Sequence, residues 1–263
     1  MAKTPATPPR RSASTSLASP APRGPLPSTS ETSYHKRLRS ILLDHKKCRK
    51  EWNELVIRGC LARTRAAIEL WSDIENGLKV VNSKKGGQSS AVRAGYLFAQ
   101  SARLSEQLAT INAVVSSLTD LVATMSQLAE RAEALTVEAA KTRGTVFAFR
   151  DPLWVTWPLA RFADGLQDQT TPYLHSLALI RSLLDTLTTF PPLPSSTSPA
   201  SSDPTASTPP EEDKARPRPK PEELQAAMSL LAVQPLIPGK GGEGPEAWEE
   251  VMSVEVGGWN EGR

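Results

Sequence analysis

The distribution of proline constrains this chain more than any other feature of its sequence. Of 23 prolines, seven fall within residues 1–30 and ten within residues 191–221, whereas none lies between Pro27 and Pro152. Proline interrupts helices and central strands, so the long proline-free stretch is compatible with long uninterrupted elements. The two proline-dense segments are also rich in Ser and Thr. We therefore expect an ordered middle flanked by disordered stretches.

Composition divides the chain into four segments. Residues 1–32 hold almost no large apolar groups, and residues 191–221 repeat that composition with an acidic cluster and a basic run added. Such segments bury too little apolar surface to offset a backbone entropy of about 1–2 kcal/mol per residue. We predict a disordered tail at 1–32, a helical bundle at 33–190, a disordered linker at 191–221 and a C-terminal docking segment at 222–263.

Apolar periodicity in the middle segment predicts an all-α fold, an elongated, coiled-coil-like three-helix bundle. The first helix spans 33–80, and small residues in the middle of its stripe would let a partner helix approach closely. A flexible link at 82–91 follows. The predicted stripe consists of Trp52, Leu55, Gly59, Ala62, Ala66, Leu70 and Ile74.

The second predicted helix, at 92–142, carries the cleanest pattern in the chain. Its heptad stripe shifts phase once, and Gly144 fits a helix stop. The stripe is a core face against the first helix or an intermolecular coiled coil, and the neighbouring helix favours the core. It comprises Leu104, Leu108, Ile111, Val115, Leu118, Val122 and Met125, then Leu128, Ala132, Leu135 and Ala139.

The third predicted helix, at 159–190, contains Thr171-Pro172, so we expect a kink or a restart near Tyr173. A short amphipathic helix at 222–233 follows the linker, and an apolar segment around Trp248 lies near the terminus. This C-terminal piece docks on its own bundle or on a partner, and the sequence favours neither. The predicted apolar face of the third helix is Leu174, Leu177, Ile180, Leu184 and Leu187.

The residues that carry chemistry are sparse, and we expect neither catalysis nor a metal or cofactor site. The three histidines are far apart in the sequence, and no phosphate-binding glycine loop or catalytic triad is recognisable. Cys48 and Cys60 lie about 18 Å apart along a helix, so we predict free thiols in a reducing compartment. No run of 18 apolar residues occurs, so we expect no membrane span.

Positive charge is concentrated only at 35–50, although the net charge of the chain is +3. A solvated helix face is favoured over a nuclear-import or nucleic-acid patch, so nucleic-acid binding is not expected. The cluster consists of Lys36, Arg37, Arg39, Lys46, Lys47, Arg49 and Lys50, with Asp44 among them.

Five hydroxyl residues in the predicted disordered segments precede proline. They are candidate sites for a proline-directed kinase, whose phosphate would add nearly two negative charges, although a Ser/Thr/Pro-rich tail produces such pairs by composition alone. The five are Thr4, Thr7, Ser19, Ser198 and Thr208.

A tryptophan corner, residues 154–158, separates the second and third helices. Pro158 favours an extended Trp157 and is itself tolerated at the start of a helix, so the indoles of Trp154 and Trp157 become fixed wedges. They serve either as a structural plug at the end of the bundle or as an interface for a partner, since buried aromatic anchors commonly dominate interface energy.

The corner and the C-terminal segment together resemble the cyclin-dependent kinase 2-interacting protein family. The most specific match is Thr156-Trp157-Pro158 with the helix that follows. The resemblance covers roughly 150 residues, and Pro172, the tails and the linker depart from it. The matching positions after the corner are Phe162, Tyr173, Leu177, Arg181 and Leu187; those in the C-terminal piece are Gln234, Pro235 and 248–252; a weaker match lies at 52–55 and Gly59.

The resemblance implies a nuclear, non-enzymatic adaptor that is a subunit of a hetero-complex. Its implied partners are cell-cycle kinases, replication and checkpoint factors, or the AAA ATPase subunits of a complex acting in ribosome maturation. An alternative is a structural coiled-coil subunit of a kinetochore or tethering complex, which would dimerise through 104–125. The candidate partner-binding residues are Trp154, Trp157, Pro158, Phe162, Tyr173, Gln234, Pro235 and Trp248.

Overall fold

The structure is a computed structural model that describes residues 31–83, 90–190, 219–237 and 244–256. Within these ranges the chain forms helices and no strand, which confirms the all-α class. Nearly all of the predicted tail and linker, and all five candidate phosphorylation sites, lie outside the described residues.

Three long helical stretches form the bundle. The first comprises α1 (Ser33–Glu54), a π-helical segment (Leu55–Leu61) and α2 (Ala62–Ser83); the second is α3 (Ser90–Arg143), about 81 Å long at 1.5 Å per residue. A short α4 (Thr145–Phe149) and the corner lead into α5 (Leu159–Thr188). The chain therefore runs up, down and up again along one elongated bundle.

Polar contacts near the helix ends show these directions. The hydroxyl groups of Tyr34 and Thr142 lie 2.6 Å apart, so the start of α1 meets the end of α3. The guanidinium of Arg181, late in α5, donates to Thr119 Oγ1 at 2.7 Å. Both α1 and α5 are thus antiparallel to α3.

The predicted apolar stripe of the first helix is wrong at two positions, Ala62 and Ala66, whereas Leu55, Gly59 and Leu70 are half-buried. Trp52 and Ile74 are buried as predicted, but Ala62 and Ala66 are exposed. Steps of four residues drift by about 40° each around an α-helix, and the wider turn of the π-helical segment absorbs this drift. The side chains buried between the two ends are Val56, Cys60, Thr64, Ala67 and Trp71.

Among the three small residues of the predicted stripe, Gly59 is the one that α3 approaches closely. A Cβ atom there would lie 2.7 Å from Cγ1 of Val114 on α3, so only glycine fits without a shift. The predicted tolerance for a close neighbour therefore holds at one of the three small residues.

Helix α3 buries its heptad stripe inside the chain, against the first helix on one side and α5 on the other. Leu104, Ile111 and Leu118 are buried and Leu108 is half-buried, and the stripe shifted past Met125 is buried as well. The intramolecular interpretation is therefore the one that the structure realises. Gly144 follows α3 with φ of +96°, a conformation that glycine adopts without strain.

By length and composition, the stretch Val92–Arg143 also qualifies as a helix able to cross a membrane. Its most apolar 18 residues have a mean hydropathy of 1.4, and 22% of that window is buried in the bundle. Core helices of soluble proteins pass the same criterion, so this single helix is weak evidence for a membrane span.

Helix α5 continues through Pro172 as one element, so the predicted restart near Tyr173 is wrong. Proline removes the hydrogen bond to the carbonyl four residues earlier, at Asp168, and that residue is exposed to solvent. The predicted apolar face also needs one correction, because Leu174 is 45% exposed and Tyr173 is buried in its place.

The C-terminal piece contributes α6 (Pro221–Val233) and α7 (Pro245–Glu255), each beginning with proline. The Glu223 side chain accepts the Lys220 backbone N–H at 3.0 Å and so caps the start of α6. Ala227 and Leu231 of α6 are buried against α5 and the π-helical segment. In this structure the piece docks on its own bundle.

Candidate functional site

The corner is held by aromatic contacts at one end of the bundle. The rings of His35 and Phe162 each meet Trp154 edge-on, with centroids 5.3 Å away, and the guanidinium of Arg39 lies 5.8 Å from its ring. The Leu153 N–H donates to the Trp157 carbonyl at 2.8 Å, which closes the corner into a tight loop. Trp154 is thereby fixed between α1 and α5.

His35 ties the beginning of α1 to the same loop. Its Nδ1 accepts the Thr32 backbone N–H at 3.2 Å, so its Nε2 carries the hydrogen and donates to the Leu153 carbonyl. His35, one of the three histidines that are far apart in the sequence, is therefore a structural link between a helix start and the corner.

Trp157 joins the corner to the C-terminal helix. Its ring lies 5.3 Å from Phe162 and 5.8 Å from Trp248, and the guanidinium of Arg161 lies 4.5 Å from its centroid. The Trp248 indole occupies the space above Gly165, where a Cβ atom would lie 2.6 Å from Cη2. Glycine at 165 thus makes the seat for this indole.

Glu255 anchors the end of α7 to the corner backbone. Its Oε2 accepts the N–H groups of Thr156 at 2.9 Å and Trp157 at 3.2 Å, and its Oε1 accepts the Thr156 hydroxyl. Burial acts to raise the pKa of this carboxyl, but these hydrogen bonds outweigh it and lower the pKa. The carboxylate is therefore the form that the corner stabilises.

A second carboxylate fastens α7 to α1. Glu249 lies 2.9 Å from Lys46 Nζ and also pairs with Arg49, whose side chain is 6% exposed. A buried cation needs such a partner because desolvation alone is costly. The acidic face of α7 and the basic end of α1 are complementary in charge.

A third contact joins the C-terminal piece to α1, one helical turn beyond Arg49, where Trp52 meets the residue that follows α6. The Trp52 indole N–H donates to Gln234 Oε1 at 2.8 Å, and its ring meets Tyr173 edge-on at 5.3 Å. Gln234 stands just after α6 with φ of 49°, in the left-handed region. Trp52 is fully buried, so this hydrogen bond satisfies a donor that would otherwise be lost in the core.

The structure brings most of the predicted site residues together. Trp154, Trp157 and Pro158 are half-buried at the corner, and Phe162 and Trp248 are buried beneath them. Of the remaining three, Tyr173 and Gln234 contact Trp52 and Pro235 follows Gln234 in the sequence. Tyr173 is buried, Gln234 is half-buried and Pro235 is exposed.

Sequence reasoning missed the residues that hold α7 in place. Gly165 gives no signal in a sequence, because the need for glycine arises only when an indole lies above it. Glu249 was detectable in principle, since α7 is acidic and the basic cluster at 35–50 had no assigned counter-charge; Glu255 gives no such signal, because it accepts from the corner backbone and not from a cation. Opposite charge on two separated segments was the available clue.

The basic cluster is largely engaged within the chain. Arg37 makes a two-pronged ion pair with Glu138 at 2.8 and 2.9 Å, and Arg39 pairs with Glu31. Together with Lys46 and Arg49, four of its seven cations have an internal carboxylate partner. The remaining cations, Lys36, Lys47 and Lys50, are exposed.

The buried titratable groups are tuned toward inertness. His45 is 1% exposed, its Nε2 lies 3.2 Å from Thr170 Oγ1, and burial together with the charge of Arg49 lowers its pKa to about 3. Cys48 and Cys60 are free thiols, as predicted; burial raises the pKa of both, to about 11 for Cys60. Across the described ranges, no group of three His, Cys, Asp or Glu side chains is arranged to hold a metal ion.

No protein-family model matches the sequence, and no curated protein matches it. The likeness drawn from individual residues is therefore the ground for a proposal about function.

Proposed function

We propose that the chain is a non-enzymatic nuclear adaptor or scaffold subunit that binds protein partners through the corner and the C-terminal segment. The observation that carries the proposal is the mutual contact of residues from separate parts of the resemblance. Trp52 touches Tyr173 and Gln234, and Trp157 touches Trp248. Positions that the resemblance singles out in separate segments thus contact one another, and this supports the proposal.

The partners follow from the resemblance to the cyclin-dependent kinase 2-interacting protein family. They are cell-cycle kinases, replication or checkpoint factors, or AAA ATPase subunits that act in ribosome maturation, and the chain is one subunit of such a hetero-complex. The role requires neither a cofactor nor a metal. It places the protein in the nucleus.

The surface offered to partners is the outer rim of the corner. Trp154 and Trp157 retain part of their surface, and Val155 between them is 44% exposed. Aromatic groups that are fixed before binding lose little conformational entropy on association, which suits an anchor. The inner parts of the same indoles plug the end of the bundle, so one pair of residues serves packing and recognition.

Affinity purification of the tagged full-length chain from nuclear extract tests the proposal. Val155→Gln removes an exposed apolar group from the corner, and Val137→Gln removes one of similar exposure (46%) from α3 as the matched control. We expect replication factors or AAA ATPase subunits with wild type and the control, and their loss with Val155→Gln. Recovery of only kinetochore or tethering proteins, equal for all three chains, would refute the proposal.

The competing coiled-coil subunit would need its heptad stripe for a second chain. Leu104, Leu118 and Met125 are instead buried against helices of the same chain. Four of the seven cations in the basic cluster likewise pair with carboxylates of the same chain, so few remain to contact the phosphates of a nucleic acid. We therefore propose neither of these functions.

A further inference from the structure

Helix α7 is seated in a site formed entirely by the rest of the chain, here termed the α7 dock. The dock consists of Lys46 and Arg49 on α1, the backbone N–H groups of Thr156 and Trp157, and the notch at Gly165 on α5. Each part meets one feature of α7: two cations meet Glu249, two amides meet Glu255, and the notch receives Trp248.

Charge makes the dock selective for an acidic segment. α7 carries four glutamates and no basic residue, whereas the α1 surface beside it presents the cluster Lys46, Lys47, Arg49 and Lys50. If α7 leaves, Arg49 loses the carboxylate of Glu249, and the two corner amides lose that of Glu255. Loss of a carboxylate from the two cations and from the two backbone N–H groups favours the return of an anionic ligand.

Several features make α7 separable from the bundle. It has 11 residues, too few for a stable isolated helix. The sequence on either side is glycine-rich, at 239–244 and again at 257–258. Its attachment therefore rests on side chains, chiefly Trp248, Met252 and the two carboxylates.

We propose that the α7 dock is a helix-binding site, occupied in cis by α7, that accepts an acidic amphipathic helix of a partner protein in trans. The helix it fits has tryptophan followed by glutamate, with methionine four positions and glutamate seven positions after the tryptophan, as at 248, 249, 252 and 255. The inference rests on the proposed adaptor function only in that the trans ligand is a protein.

The cis helix sets how strongly a trans helix is excluded. A tethered segment has an effective concentration of about 1 mM, and a short helix with a few anchors binds with a Kd of about 10 µM. The dock is then closed about 100 times as often as it is open. A trans helix accordingly binds the wild-type chain about 100-fold more weakly than it binds a chain in which α7 has been released from the dock.

Fluorescence anisotropy with a labelled peptide of residues 244–256 tests this inference on full-length chains. Trp248→Ala in the chain loosens α7, and we expect saturable binding of the peptide at least tenfold tighter than to wild type. A peptide with Glu249→Lys should bind at least tenfold more weakly, whereas a peptide with Glu250→Lys, changed at an exposed position, should bind as the parent does. No saturable binding to a Trp248→Ala chain of wild-type helicity would overturn the proposal.

Hydrogen exchange on wild type covers the case in which Trp248→Ala fails to fold. We expect the backbone amides of α7 to exchange at least tenfold faster than those of α5, because α7 leaves the dock without unfolding of the bundle. Equal protection of the two helices would overturn the inference, as would a dimer in which copies exchange α7. Peptide binding in buffer does not depend on recovery of partners from extract, so this proposal and the adaptor function fail separately.

Discussion

Replacement of Gly165 by alanine tests the seating of Trp248 in solution. The added Cβ would lie 2.6 Å from Cη2 of the indole, whereas ordinary contact begins at 3.4 Å, so the ring must move by about 0.8 Å or more. Overpacking of this kind costs about 1–3 kcal/mol. Alanine in place of glycine inside a helix returns about 1 kcal/mol. The net change is therefore a loss of about 0–2 kcal/mol.

Gly95→Ala is the matched control, because the position is helical and a Cβ there meets nothing within 4 Å. It gains the helix propensity without a clash, so we expect it to stabilise the chain by about 0.5–1 kcal/mol. Urea unfolding followed by circular dichroism gives both free energies of unfolding. If Gly165→Ala stabilises the chain as much as Gly95→Ala does, Trp248 does not sit over Gly165 and the description of the dock is wrong.

Three further predictions concern buried groups. The pKa of His45 is about 3 in the folded chain and near 6.5 in the unfolded chain, so the unfolded chain binds more protons between these values and the free energy of unfolding decreases as the pH is lowered. Between pH 7 and pH 5 the decrease should be about 2 kcal/mol, measured by urea unfolding. A His45→Gln chain should lack this component. Cys60 should react with a disulfide reagent at least 100-fold more slowly in the folded chain than in urea, and equal rates would contradict its burial. Light scattering should give the mass of a monomer, 28.4 kDa, because the heptad stripe is used inside the chain; a stable dimer that is lost on Leu118→Asp with the fold retained would contradict this.

Much of the fold was predictable because long helices write their period into the sequence. The heptad stripe of α3, including its phase shift past Met125, is buried as predicted, and Gly144 ends that helix. The absence of proline between 27 and 152 leaves room for helices of this length. These signals are local, so no knowledge of tertiary contacts is needed to detect them.

The errors arise where a local rule yields to packing. A fixed period of 3.6 residues cannot anticipate the π-helical segment, which moved the buried face from Ala62 and Ala66 to Cys60, Thr64 and Ala67. Pro172 was expected to kink α5 or to make it restart, and the helix does not restart: the carbonyl that loses its hydrogen bond belongs to the exposed Asp168, where water is available. Both outcomes depend on which faces of the helices are packed and which stay exposed, and residues distant in sequence decide this.

The candidate site was predictable in its aromatic residues and not in its polar ones. Tryptophan is conspicuous in a sequence, so Trp154, Trp157 and Trp248 were singled out. Their supports, Gly165 and Glu255, acquire meaning only from the docking of α7. Whether that piece docks in cis or in trans was left open, since a linker of this length permits both.

The affinity of a purified partner for the corner is the most direct test of the central claim. Full burial of a valine side chain contributes about 1.5–3 kcal/mol, and Val155 is 44% exposed, so burial of its remaining surface contributes about 1 kcal/mol. Val155→Gln should therefore weaken the binding of a partner recovered from extract by about fivefold. Val137→Gln should leave the Kd within about twofold of wild type. Equal affinities for all three chains, each with an unchanged melting curve, would show that the corner is a structural plug and that partners bind elsewhere.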